Sequence, residues 1–286
     1  MNKSTSFSAA AACCLTLLGS LHGADKLVLR PHWEAGKTYQ MKSEIQMDMT
    51  VPNAGAQKTN ITQTMNLDVT SETGTGNKIA EMKIVGVRAE MGIMGQTMVY
   101  DSSDPSKSNP LLEKSMGAML NKSLTLVFDA DDNYVEARGI EAFQPPGAAG
   151  KGMSGKDMAD MFRKSFESSL PKQAVAPGDT WTTDEKMNVG PLGALTVKMD
   201  AKFEDIEDHN GQKCAKIVLD GKLSTEGGSG PVPASIGEGS KMHGEVFFDI
   251  AKRLPSESIT NAEMSITVGG QTLPMKQKIT TSVSEK

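Results

Sequence analysis

Residues 150–157 (GKGMSGKD) fit the phosphate-binding spacing G-x-x-x-x-G-K, in which backbone N–H groups cradle phosphates and the lysine reaches them. Asp157 stands where a Ser or Thr hydroxyl would ligate magnesium, and Pro145-Pro146-Gly147 precedes the motif where it needs a buried strand. The context predicts a loop entering a helix. Asp129, Asp131 and Asn133 open with the spacing of a calcium loop, but Tyr134 replaces the turn glycine and Ile140 the bidentate glutamate. An acidic β-turn is the expected reading. His32, His209 and His243 lie far apart in the chain and offer no zinc ligand set; His209 is expected in a solvated turn. No serine sits in a G-x-S-x-G elbow. Cys214, in a strand-like stretch without a neighbouring cationic helix start, reads as a small buried hydrophobe. No catalytic motif, metal site or cofactor is implied, although carboxylates paired across strand faces would leave no mark in a sequence.

Methionine is the unusual component: 19 residues, against 5% aromatics. Met47-Asp48-Met49 and the stretch from Met91 through Met94 to Met98 resemble thioether clusters that hold Cu(I). On a strand Met91 and Met94 point to opposite faces, which spoils a shared site. The other reading is an adaptable apolar cavity, because the flexible thioether fills irregular gaps and accepts varied apolar partners. Met47, Met49, Met116, Met158, Met161, Phe162 and Phe166 are the expected lining; an ordinary methionine-rich core is the competing account.

The elements that would position them follow a period of two. From Tyr39 the odd positions run Tyr39, Met41, Ser43, Ile45, Met47, Met49, Val51, while the even ones are polar. Such alternation predicts a strand with one buried and one solvated face. Similar runs appear at Met65-Leu67-Val69, Leu195 to Phe203, Val246-Phe248-Ile250, Ala262 to Val268 and Leu273 to Val283. Gly74 to Asn77, His209-Asn210-Gly211 and Gly269-Gly270 mark the turns between them. Two helices are expected. One starts at Asn109-Pro110 with a stripe of Leu112, Met116, Met119 and Leu120. The other runs over 154–170, with Ser154 and Asp157 as a capping box and Pro171 as its stop.

At the N-terminus Lys3 precedes the apolar run Phe7 to Leu21, then Gly23 and Ala24. That order predicts a secretory signal peptide over 1–24, cleaved near Gly23 or Ala24. Ala10-Ala11-Ala12-Cys13 offers a less favoured lipid-anchored alternative at Cys13. No later run reaches the roughly 20 apolar residues of a membrane-spanning helix. The chain carries a net charge of −5 and no basic cluster, so nucleic acid is not an expected partner.

The halves resemble each other. Ala35-Gly36-Lys37-Thr38-Tyr39 parallels Pro177-Gly178-Asp179-Thr180-Trp181; Gly76 to Ala80 parallels Gly211 to Ala215; Val127-Phe128-Asp129 parallels Phe247-Phe248-Asp249. This predicts a first β repeat with a short helix over 25–143, a linker and amphipathic helix over 144–177, and a second β repeat over 178–286.

Leu170-Pro171-Lys172 followed by Val175 to Trp181, with the hairpin at Phe128 to Asn133, resembles a family of functionally uncharacterised exported bacterial proteins. The resemblance implies an architecture similar to the half-barrel of periplasmic lipoprotein carriers, with helices lining the concave side of a curved sheet. It brings no catalytic residue. The expected fold is therefore mainly β (α+β): a curved antiparallel sheet or half-barrel from a duplicated β-meander, two or three short helices covering one face. The expected function is a non-enzymatic periplasmic or secreted protein binding an apolar small molecule or lipid. A structural module that binds another envelope protein, and third a hydrolase, are the alternatives.

Overall fold

The structure is a computed structural model that describes residues 26–52, 55–93, 96–143, 164, 170–188, 194–226 and 234–286. The expected signal peptide, the linker over 144–150, the phosphate-loop spacing and all of the 154–170 helix except Lys164 and Leu170 lie outside these residues.

Alternation makes strands, and the strands are long. β1 (Thr38–Val51), β2 (Gly55–Ser71), β3 (Lys78–Ile93), β4 (Gln96–Asp101), β5 (Ser123–Phe128) and β6 (Tyr134–Arg138) come from the first half. β7 (Thr180–Asn188), β8 (Ala194–His209), β9 (Gln212–Glu226), β10 (Ala234–Ile236), β11 (Lys241–Asp249), β12 (Leu254–Val268) and β13 (Gln271–Glu285) come from the second. All join one curved antiparallel sheet that is not closed, in the order β6-β5-β3-β2-β1-β13-β12-β11-β9-β8-β7. Two-residue turns with positive φ at Asn210-Gly211 and Gly269-Gly270 connect β8 to β9 and β12 to β13. Their twist matches that of the flanking strands.

The paths β1-β2-β3-β5-β6 and β7-β8-β9-β11-β12 have the same connectivity, and β13 joins them by pairing with both β12 and β1. Details match too. Gly36 N donates to Val69 O and Val69 N to Lys37 O; Gly178 N donates to Phe203 O and Phe203 N to Asp179 O. The β5–β6 ladder shifts register between Val127 and Phe128, and the β11–β12 ladder between Phe247 and Phe248. The short fourth strands differ: β4 pairs with β3, whereas β10 pairs with β12.

Two of the core clusters occupy one face of the sheet at one end of the strands, and a third lies beside β3, β4 and the Pro110–Met116 helix. Trp33, Tyr39, Leu67, Leu126 and Phe128 form one cluster; Phe203, Ile217 and Phe248 form a second with Leu29, Leu170 and Val175. Each such side chain contributes about 1.5–3 kcal/mol when fully buried. The segment before β1 supplies the second layer here. Leu27 and Val175 exchange backbone hydrogen bonds of 2.7 and 2.9 Å, and His32 N donates to Arg253 O.

Helices are fewer than expected. Among the described residues α1 (Pro110–Met116) is the α-helix with defined bounds, with three 3-10 turns, and Lys164 is also helical. Asn109 Oδ1 accepts from Leu111 N, capping it as its sequence predicts. The stripe does not continue to Leu120 as α-helix, because Gly117 follows Met116 and Gly117–Met119 tightens into a 3-10 turn. So α1 packs on one corner, over Ile84, Val87, Ala89 and Tyr100. The expectation of two or three helices covering a face does not hold: turns too short to bury a stripe cannot cover strands this long.

Candidate functional site

The register places one side-chain set of every long strand on the core-bearing face. In one row Ala89, Ile61, Ile45, Ile279, Thr260, Gly244, Leu219, Ala201 and Trp181 stand opposite one another across nine strands. Two rows further along, Gln57, Met49, Met275 and Met264 are opposite. The reverse face carries charge: Lys58, Asp48, Lys276, Glu263, Lys241, Lys222, Lys198 and Asp184 are likewise in register. Lys241 and Lys276 reach Glu263 at 3.1 and 3.7 Å, exposed contacts worth little individually.

Burial falls along the core-bearing face on β1, β2 and β13, whereas β8 stays buried through Met199 and Val197. In β1 Tyr39 is buried, whereas Met41, Ile45, Met47 and Met49 are only half-buried. β2 changes from buried Leu67 and Val69 to half-buried Met65 and Ile61, and β13 from buried Val283 to half-buried Ile279, Met275 and Leu273. One end of the trough is thus packed by Trp33, Phe128, Phe203 and Phe248, and at the other end β1, β2 and β13 present partly exposed aliphatic and thioether side chains. At ~3.4 Å per residue, the stretch from Met41 to Met49 extends about 27 Å. No Asp, Glu, Lys, Arg or His side chain projects on this face from β1, β2 or β12, nor from β13 between Leu273 and Val283. In β7 Glu185 does so, and it meets Lys164 Nζ at 3.5 Å.

Where the packed end meets the open one, a cavity of about 270 Å³ is lined by Pro31, Trp33, Met41, Ser43, Leu170, Val246, Pro255, Ser258, Thr281 and Val283. A broader groove of about 880 Å³ runs among Asp200, Asp220, Lys222, Lys241 and His243. Its solvated charges suit an apolar ligand poorly.

Of the expected lining residues, Met47 and Met49 lie in the trough, opposite Gln277 and Met275 respectively. Met116 instead packs in the α1 corner, in the cluster that also takes Met65, Met91 and Met98. Met158, Met161, Phe162 and Phe166 lie outside the described residues. In the thioether stretch Met91 and Met98 are opposite in register, and Met94 lies outside the described residues. Met264 and Met275 complete the trough; their alternation was visible, but strand order alone sets them beside Met49.

The acidic turn reads as expected. Asp129 Oδ1 accepts from Asp131 N and Asn133 N, and Oδ2 from the Asn133 amide, which holds its pKa below the usual carboxylate range. His209 departs from expectation. It ends β8, stacks on Phe247 at 3.6 Å between ring centres, and its Nε2 lies 2.6 Å from Glu257. Contacts to residues 38 and 48 positions away have no sequence signature. The same holds for the buried Asp132 carboxylate, held by Lys78, His32 and the Trp33 N–H.

No protein-family model and no curated protein matches the chain. Among solved structures, lipovitellin, described for its lipid–protein interactions, matches 88% of this chain at 10% identity and a TM-score of 0.48. The chain spans 25% of lipovitellin's length. A candidate lipoprotein from Parabacteroides distasonis ATCC 8503 matches 92% of this chain and 100% of its own at 12% identity and TM-score 0.30. DynF from the dynemicin biosynthesis pathway of Micromonospora chersina matches 91% and 86% at 6% identity and TM-score 0.24. Likenesses this loose carry no functional argument. The class of protein is set by its own geometry: an open, curved antiparallel sheet with one charged and one apolar face.

Proposed function

We propose that this protein is a non-enzymatic binder of a long, apolar, lipid-like ligand, which lies along the core-bearing face above the Trp33–Phe248 packing. The observation that carries the reading is the decline in burial along β1, β2 and β13 on a face whose central strands project no charge. The magnitudes allow it. About fifteen buried methylenes gain ~12 kcal/mol. Loss of at least ~4 kcal/mol of free motion leaves about 8 kcal/mol, in the micromolar range. Methionines suit such a surface because their flexible chains adapt to varied apolar shapes.

The leader-like order of Lys3, the apolar run Phe7 to Leu21 and Gly23-Ala24 supports export, as a member of the exported bacterial family that the LP…PGDTW residues resemble. The shared path of the two strand runs supports an origin by duplication. Among the described residues no helix is long and apolar enough to cross a membrane.

Native mass spectrometry of the protein purified without detergent tests the reading. A bound mass of several hundred daltons that leaves on activation is expected. A clean apo mass together with no uptake of a hydrocarbon dye such as diphenylhexatriene would rule it out.

A further inference from the structure

On the core-bearing face, one row beside the packed end of the trough is polar across four adjacent strands. Gln63, Ser43, Thr281 and Ser258 are directly opposite one another across β2, β1, β13 and β12. Directly opposed residues have Cβ atoms about 4.5–5.5 Å apart, so the four form one continuous polar strip. Ile61, Ile45 and Ile279 bound it on the open side, and Met65, Met41 and Val283 on the packed side.

The hydroxyls are set to serve something other than each other. Ser43 Oγ and Thr281 Oγ1 lie 3.1 Å apart. A hydroxyl has one proton, so whichever of the two accepts keeps its own O–H for an outside acceptor. Ser43, Thr281 and Ser258 line the 270 Å³ cavity beside Trp33 and Val246, and among the described residues no cationic side chain is one of its walls. An ionised carboxylate seated there would lose its water without gaining a counter-ion, which disfavours it strongly. A neutral carbonyl or hydroxyl meets matching donors and acceptors.

We infer that this strip seats the uncharged polar group of a long-chain ester or alcohol, of the acylglycerol type, with its chain extending along Ile45, Met47 and Met49. The inference rests on the apolar-ligand reading above and narrows it to neutral lipids over ionised fatty acids.

Displacement of diphenylhexatriene from the purified protein at pH 8.5 tests it, with 1-monoolein and sodium oleate as competitors below their aggregation concentrations. Monoolein is expected to displace the dye at about tenfold lower concentration than oleate, the worth of one to two neutral hydrogen bonds. In a Ser43→Ala/Thr281→Val variant, which keeps the shape of the strip, that advantage is expected to shrink to about threefold or less. Ser258→Ala supplies the same comparison should the double variant fail to fold. Equal or stronger displacement by oleate, or an unchanged advantage in the folded variants, would overturn the neutral-ligand inference while leaving the apolar-ligand reading in place. Failure of the dye itself to bind would overturn both.

Discussion

Lys78 Nζ lies 2.6 Å from Asp132 Oδ1, joining the first residue of β3 to the β5–β6 hairpin across 54 residues of chain. The Asp132 side chain is only 4% exposed, and its other oxygen takes His32 Nδ1 at 2.7 Å. Because the Trp33 N–H also donates to it, this carboxylate fastens the segment before β1 onto the first core. Removing one member of a buried ionic group leaves the others uncompensated. Asp132→Ala is expected to cost about 3 kcal/mol, read as a lower urea midpoint with an unchanged slope. A loss under about 0.5 kcal/mol, the scale of an ordinary surface change, would show that the cluster fastens nothing.

The trough makes a sharper demand at Ile45, which is half-buried midway along the face and flanked by Ile61 and Ile279. A carboxylate there must lie against a bound apolar chain, whereas in the free protein it retains partial access to water. Ile45→Glu should therefore reduce diphenylhexatriene binding more than tenfold while the far-UV circular dichroism stays that of a β protein. Dye binding at wild-type strength in the folded variant would place the apolar ligand elsewhere.

Gly36 and Gly178 precede β1 and β7 at φ +89° and +94°, and nothing lies within 4 Å of a Cβ built on either. The cost of alanine at each is then purely backbone strain, roughly 1–2 kcal/mol. Gly36→Ala and Gly178→Ala are expected to lower stability by similar amounts, checked by paired urea titrations. A difference above about 1 kcal/mol between them would break the equivalence of the two strand runs at this point.

Cys214 is fully buried, with its Sγ 3.7 Å from Ser256 Oγ. Burial pushes the thiol pKa up, since a thiolate there would be desolvated, and the Ser256 contact offsets this in part. A raised folded pKa means that stability is fully present below the unfolded thiol pKa of about 8.5 and declines as pH climbs through the folded value. Cys214→Ala should flatten that alkaline decline. In the native protein at pH 8 the thiol should resist a disulfide reagent that labels it readily in urea; prompt native labelling would contradict the burial.

How much of this was readable beforehand follows from the range of each interaction. Strand alternation around Tyr39–Val51 and the turns at Asn210-Gly211 and Gly269-Gly270 are local, so composition and period declared them. The helix from Asn109 was legible at its cap and overlong at its end, because Gly117 outweighs a stripe that continues past it. The inner and outer side of each strand was legible too, since side chains alternate whatever the neighbours are. Which strands become neighbours was not: β13 inserting between β12 and β1 brings Thr281 to Ser43 and Met275 to Met49 across more than 200 residues. Nothing in either segment names its partner, because backbone ladders pair without regard to sequence and only burial of the whole face selects the register. The sequence by itself therefore determined a two-faced β protein with a methionine-rich inner side. The tertiary structure alone decided that one end of that side fills with Trp33, Phe128 and Phe248 while β1, β2 and β13 stay partly exposed at the other, since packing depends on volumes that meet only once the sheet has curved.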